Sequence, residues 1–148
     1  MKEIPITASD EEIKEVLREW VDLLAQGRFD DAVAMLSPEV IPGNGSVNVK
    51  EHSQWTGELV EAVIRNYGNR EPFEGQDHTW KVVPVEEEFR EFFEERLDIE
   101  RIPREMFGQS YCGDIEIYLP LDCDDGNDVS DLTARLMLRE TTSGKRWP

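Results

Sequence analysis

The stretch Tyr111-Cys112-Gly113-Asp114-Ile115-Glu116-Ile117-Tyr118-Leu119-Pro120-Leu121 decides the fold class. Gly113, Ile115, Ile117, Leu119 and Leu121 are small or apolar, and Cys112, Asp114, Glu116, Tyr118 and Pro120 fall between them. A period of two sends alternate side chains to opposite faces, so the segment predicts a β-strand with one apolar and one acidic face. Leu132-Thr133-Ala134-Arg135-Leu136-Met137-Leu138-Arg139 alternates in the same way. The intervening loop, Asp122-Cys123-Asp124-Asp125-Gly126-Asn127-Asp128, is too short for a parallel crossover, so the two strands are expected to pair as an antiparallel hairpin.

Ahead of this hairpin the pattern is helical. Ser9-Asp10-Glu11-Glu12 reads as a capping box, in which Ser9 accepts from the backbone N–H of Glu12 and the Glu12 carboxylate reaches back. Ile13, Val16, Leu17, Trp20 and Leu24 then recur at three- and four-residue steps, and Gly27 suits the position after the last turn. A shorter helix is expected in Phe29-Asp30-Asp31-Ala32-Val33-Ala34-Met35-Leu36, ended by Ser37-Pro38. Pro42-Gly43-Asn44-Gly45-Ser46 reads as a surface loop. A third helix, starting near Asn48 or Ser53, would carry His52, Trp55, Leu59, Val63 and Tyr67 on one face before Gly68.

Between helices and hairpin the signals are shorter. His78-Thr79-Trp80-Lys81-Val82-Val83 is rich in strand formers and stops at Pro84. Residues 85–97 predict a fourth helix, with Phe89, Phe92, Phe93 and Leu97 on one side, and Pro103-Arg104-Glu105-Met106-Phe107-Gly108 predicts a single helical turn. No internal repeat or low-complexity linker divides the 148 residues, so one domain is expected, long enough to bury roughly 70% of the unfolded chain's surface.

The chain holds 33 acidic and 16 basic residues, a formal charge of −17. That balance argues against direct contact with nucleic acid or an anionic membrane, and makes a basic protein the natural complement. The same charge also fits a chain that is merely kept soluble, or one adapted to a high-salt cytoplasm. Met1-Lys2-Glu3-Ile4-Pro5 lacks the apolar run of a signal peptide, and no stretch reaches the ~18 to 20 apolar residues of a membrane span, so a cytoplasmic location is expected. Cys112 and Cys123, read as lying on one extended segment, would stand roughly 35 Å apart, too far to pair unless Pro120 bends it. With no Cys-x-x-Cys and only His52 and His78, no metal centre or other cofactor is expected.

Helices first and strands later imply an α+β fold with helices packed on one face of an antiparallel sheet. That order, together with Leu24-Ala25-Gln26-Gly27-Arg28-Phe29-Asp30-Asp31-Ala32-Val33-Ala34-Met35-Leu36, resembles the nuclear-transport-factor-2-like, cystatin-like cone, covering residues 10–40 best and the late hairpin second. The resemblance implies a curved sheet wrapped by N-terminal helices around a pocket. It also implies an Asp, His or Tyr in that pocket as acid or base, for which Trp20, His52, Tyr67, His78, Asp114 and Tyr118 are the candidates here. No spacing among them matches a catalytic signature, and Trp20 and Tyr67 lie on helical apolar stripes where aromatic residues are mostly core. The loop from Asp122 to Asp128 has oxygen ligands enough for Ca²⁺, but Gly126 stands where the EF-hand register wants a ligand and no closing Glu follows.

Charge distribution says more than these motifs. Between Tyr111 and Ala134 there is no Lys or Arg, yet Asp114, Glu116, Asp122, Asp124, Asp125, Asp128 and Asp131 are all present. Residues 86–105 add nine carboxylates against four arginines, and lying beside the hairpin they would extend a negative surface suited to a Lys/Arg-rich partner. Gly113-Asp114-Ile115-Glu116-Ile117-Tyr118-Leu119-Pro120-Leu121-Asp122, followed by Ser130-Asp131-Leu132-Thr133-Ala134-Arg135, is similar to the C-terminal hairpin of uncharacterised bacterial immunity-type domains. The sequence therefore points first to a non-enzymatic module that binds a basic protein through those seven carboxylates. The alternative is a pocket protein of the cone superfamily, binding or isomerising a small apolar molecule with Trp20, His52, Tyr67, His78 and Tyr118.

Overall fold

The structure, a computed structural model, describes residues 2–5, 7–36, 55–84, 95, 97–101, 104–106, 109–118, 121–123, 132–139 and 146–147. Helix α1 is Asp10–Ala25, and it begins as the capping box requires: Glu12 N–H donates to Ser9 Oγ and Ser9 N–H to the Glu12 carboxylate, both at 3.2 Å. Its buried stripe is Ile13, Leu17, Trp20, Val21 and Leu24. The helix stops in a Schellman turn, where Gly27 takes φ +72° and Arg28 N–H donates to the Leu23 carbonyl at 2.9 Å.

Helix α2, Phe29–Ala34, follows directly, and α3 spans Gly57–Arg65 with Thr56 as its N-cap. The buried row of α3 is Gly57, Val60 and Ile64, one step away from the expected row of Leu59 and Val63, which are half-buried. The helix starts later than the sequence suggested because Thr56 Oγ1 accepts from Leu59 N–H at 3.1 Å; Trp55 precedes the helix and packs on the core, and His52 lies outside the described residues. A side chain on Gly57 would meet Asp30, its Cβ standing 2.9 Å from the Asp30 backbone nitrogen, so glycine is what lets α3 cross α2 closely. Tyr67 occupies the position after the α3 C-cap that Gly27 holds in α1, at φ +51°. Its N–H donates to Ile64 and that of Gly68 to Val63, again a Schellman turn, but with a tyrosine in the left-handed region that costs about 1 kcal/mol without glycine.

The strands are β1 Ile4–Pro5, β2 Trp80–Val82, β3 Asp98–Glu100, β4 Arg104–Met106, β5 Gln109–Tyr118, β6 Leu121–Cys123, β7 Thr133–Arg139 and β8 Arg146–Trp147. Every pairing among the described residues is antiparallel. Strand β5 is central: β3 and β4 share one of its edges and β7 takes the other. The segment read as one strand over 111–121 is thus two, since Leu121–Cys123 leaves the hairpin to pair with β2. The helical turn expected over 103–108 is instead strand β4, because pairing of Arg104–Met106 with β5 outweighs the weak local signal of a proline and a glycine. The helix expected over 85–97 lies outside the described residues except at its end.

The chain is an α+β fold. One core joins the α1 stripe to Ala32, Val60, Ile64, Val82, Ile115, Ile117 and Leu138, with Ile99, Ala134 and Leu136 packed against it. Ile99, Ile115, Ile117, Ala134, Leu136 and Leu138 share one face of β3, β5 and β7, and it is this face that joins the core with the helices, as the period-two reading implied. Trp20 lies in this core with 6% exposure, and its Nε1 has no hydrogen-bond partner among the described residues. Trp20→Ala should therefore cost about 3 to 5 kcal/mol, and Trp20→Phe, which removes the orphaned donor and keeps most of the apolar volume, should cost much less. Chemical denaturation of the two variants checks the ordering.

Candidate functional site

The face of the sheet turned away from the core is built by register. Asp98 pairs with Glu116 and Glu100 with Asp114 across β3 and β5, and Glu116 pairs with Arg135 across β5 and β7. Neighbouring strands stand about 4.8 Å apart, so like charges directly opposite destabilise the sheet locally. Asp98, Glu100 and Glu116 are exposed, and none has a salt-bridge partner among the described residues. Of the acidic segment 86–105, residues 98–100 and 104–105 lie beside β5, and most of the rest lies outside the described residues.

Asp114 behaves differently. Its residue exposure is 9%, and Arg135 Nε donates to both carboxylate oxygens at 3.1 Å while Arg135 Nη2 donates to Oδ2. Asp114 sits opposite Met137 in the ladder, so Arg135 reaches it along the diagonal, a distance that long side chains span. The hydrogen bond to Asp114 raises the Arg135 guanidinium above its already high ordinary value, partial burial opposes the rise, and the charges of Asp114, Glu116 and Glu100 add to it. A base whose folded-state value is raised contributes stability that is lost only as pH climbs past that value, so this contribution disappears only in strongly alkaline solution.

The structure brings together part of what the sequence proposed. Asp114 is a buried structural partner of Arg135, whereas Glu116 belongs to the exposed acidic face. Asp122 is placed by its backbone, opposite Lys81 of β2, away from the β3–β5–β7 sheet. Asp124, Asp125, Asp128 and Asp131, together with the calcium-ligand loop they belong to, lie outside the described residues. Sequence reading missed Asp98 and Glu100 as specific members of the face, and it missed Arg135 as the counter-charge of Asp114. The alternation Asp98-Ile99-Glu100 was the available signal, hidden in a stretch read for its net charge.

Of the pocket candidates, Trp20 is core, His52 lies outside the described residues and Tyr118 is placed only by its pairing with Thr133. Tyr67 and His78 each pack against Trp80, with ring centroids 4.9 and 4.3 Å from it. His78 Nδ1 lies 2.5 Å from the Asp77 carboxylate, and its buried Nε2 has no partner among the described residues. At these separations each ring packs against Trp80. An open cleft of about 640 Å³ lies elsewhere, between α1 and α2, lined among others by Glu15, Glu19, Asp22, Arg28 and Met35. Among the described residues no cluster of His, Cys, Asp and Glu could hold a metal ion, and no helix is long and apolar enough to cross a membrane.

Comparison of the chain with known protein families, with curated proteins and with solved structures finds no match. The two kinds of carboxylate on the sheet separate in a stability measurement. Asp114→Asn should destabilise by about 1 to 3 kcal/mol, the range for weakening the hydrogen bonds between a buried carboxylate and a charged donor. Glu116→Gln loses attraction to Arg135 but relieves repulsion from Asp98, and its stability should stay within about 0.5 kcal/mol of the unaltered chain. Urea unfolding of both variants checks the contrast.

Proposed function

We propose that the chain is a cytoplasmic, non-enzymatic binding module that receives a basic protein on its outer sheet face, in the manner of an immunity-type inhibitor. The observation that carries this reading is the register of β3 against β5. Solubility is served by carboxylates placed anywhere, but here Asp98 faces Glu116 and Glu100 faces Asp114 on adjacent strands, an arrangement that weakens the sheet. Arg135 compensates Asp114 and leaves Asp98, Glu100 and Glu116 exposed. A positively charged surface laid on the face would relieve that repulsion, which gives the binding its direction and its charge selectivity.

The sheet also makes a suitable platform for recognition. Glu116 stands on β5, paired on both edges, and Asp98 and Glu100 stand on β3, paired to β5, so the backbone beneath the carboxylates is already ordered and only their side chains lose freedom when a partner docks. Asp98 stands one strand spacing, about 4.8 Å, from Glu116 and two residues, about 6.6 Å, from Glu100, separations below the ~8 Å screening length at physiological salt, so the three act on an approaching cation as one patch.

The test starts with a partner captured from the host cytoplasm at low ionic strength and then purified. Its association rate is measured at two salt concentrations with the unaltered chain and with Asp98→Asn/Glu100→Gln/Glu116→Gln. The triple variant should associate roughly tenfold more slowly at low salt and show a shallower salt dependence. Equal rates and equal salt slopes would remove the sheet face from the interaction.

A further inference from the structure

The segment Asn66-Tyr67-Gly68-Asn69-Arg70-Glu71-Pro72-Phe73-Glu74-Gly75-Gln76-Asp77 joins α3 to the strand region, and it is held far more tightly than a connection requires. Asn66, 4% exposed, is its hub: the Asn66 amide donates to the Arg70 carbonyl, Gln76 Nε2 donates to Asn66 Oδ1 at 3.0 Å, and Asn69 Nδ2 donates to the Asn66 carbonyl at 3.1 Å. Phe73 to Gln76 form a tight turn, closed by Gln76 N–H donating to the Phe73 carbonyl at 3.0 Å, with Gly75 at φ +83° in the third position, where a type II turn needs glycine. Phe73 N–H donates in return to Gln76 Oε1 at 3.2 Å. The buried asparagine therefore fixes the backbone of Phe73 through the glutamine.

The product of this network is an exposed aromatic ring. Among the described residues Phe73 is the large apolar side chain left open to solvent, at 43% exposure, with its ring centroid 6.3 Å from that of Trp80. Glu71, Glu74 and Asp77 surround it in sequence, all exposed, against one cation, Arg70; Glu71 and Glu74 make no ion pair among the described residues. An exposed aromatic ring on a hydrogen-bonded backbone, with exposed carboxylates two residues before it and one after it in sequence, offers the two groups a guanidinium uses, a ring on which to stack its weakly hydrated plane and carboxylate oxygens to accept from its N–H groups. An ammonium is drawn to both as well, but as a compact, strongly hydrated charge with no plane to stack it gains less from the ring.

We infer that the Phe73 loop is an arginine-reading contact for a basic peptide segment of the partner, with Phe73 as the stacking surface and Glu71 and Glu74 as the acceptors. This rests on the reading of the partner as basic and narrows it to one that presents arginine. The probes are nona-arginine and nona-lysine peptides, titrated at low ionic strength against the unaltered chain. Nona-arginine should bind ~2- to 5-fold more tightly than nona-lysine, the increment of an exposed cation–π contact. Phe73→Ala and Phe73→Leu should abolish that preference with little change for nona-lysine, and Phe73→Trp should preserve it. Glu71→Gln/Glu74→Gln, which alters no packed side chain, should weaken nona-arginine on its own. An unchanged arginine-to-lysine ratio in Phe73→Ala, or full retention in Phe73→Leu, would overturn the inference, the second result marking an apolar contact instead. If Asp98→Asn/Glu100→Gln/Glu116→Gln weakens both peptides equally while the Phe73 variants change nothing, only this inference falls. If neither peptide binds the unaltered chain, it falls together with the reading of the sheet face.

Discussion

The ion pair between Arg135 and Asp114 is the contact on which the sheet depends. It joins the two longest strands across a diagonal, in the register that sets Glu116 opposite Arg135. A slip of one residue would turn Ile115 and Ile117 outward and bury Glu116, so hydrophobic burial and the ion pair select the same alignment. Arg135 has a second effect. It stands beside Glu116 and close enough to Glu100 for both to add to its basicity, so one guanidinium offsets part of the repulsion that the acidic rows impose on β3 and β5. Asp114 in turn is a carboxylate that can be buried because its oxygens are taken up by that guanidinium.

On the other side of the sheet the helices are placed by their ends. A capping box starts α1, a threonine cap starts α3, and both stop in Schellman turns. The two stops differ in a way that matters for the surface. Gly27 adopts the left-handed conformation without strain, whereas Tyr67 adopts it at a cost that its packing on Trp80 offsets. Directly after Tyr67 the chain enters the hydrogen-bonded loop centred on Asn66, so the helix stop, the aromatic packing and the presentation of Phe73 form one continuous arrangement. Core packing thereby extends to a surface feature several residues away.

Much of this was legible in the residues. The α1 stripe, its capping box and Gly27 declare a helix, because each rests on spacing within a few residues, and the alternation through Ile115 and Ile117 and through Ala134, Leu136 and Leu138 declares two strands with a common inner face. The α3 row was misread because its register depends on Thr56 as the cap, and several polar residues upstream could have served equally well. Strand β4 was misread because its conformation is imposed by pairing with β5 and not by its own composition. The site was legible as charge but not as geometry. Arg135 lies one residue past the stretch devoid of basic groups, and only the diagonal across the ladder brings it back to Asp114. Asp98 and Glu100 become specific only once β3 is known to lie in register on β5.

The central claim is that Arg135 and Asp114 are energetically coupled and hold the acidic face together. A double-mutant cycle measures this most directly, with unfolding free energies for Asp114→Asn, Arg135→Gln and the double variant compared with the unaltered chain. A coupling energy above about 1 kcal/mol, beyond the range of exposed ion pairs, is the predicted result. Additivity within about 0.3 kcal/mol would show that the two side chains act independently and would contradict the account.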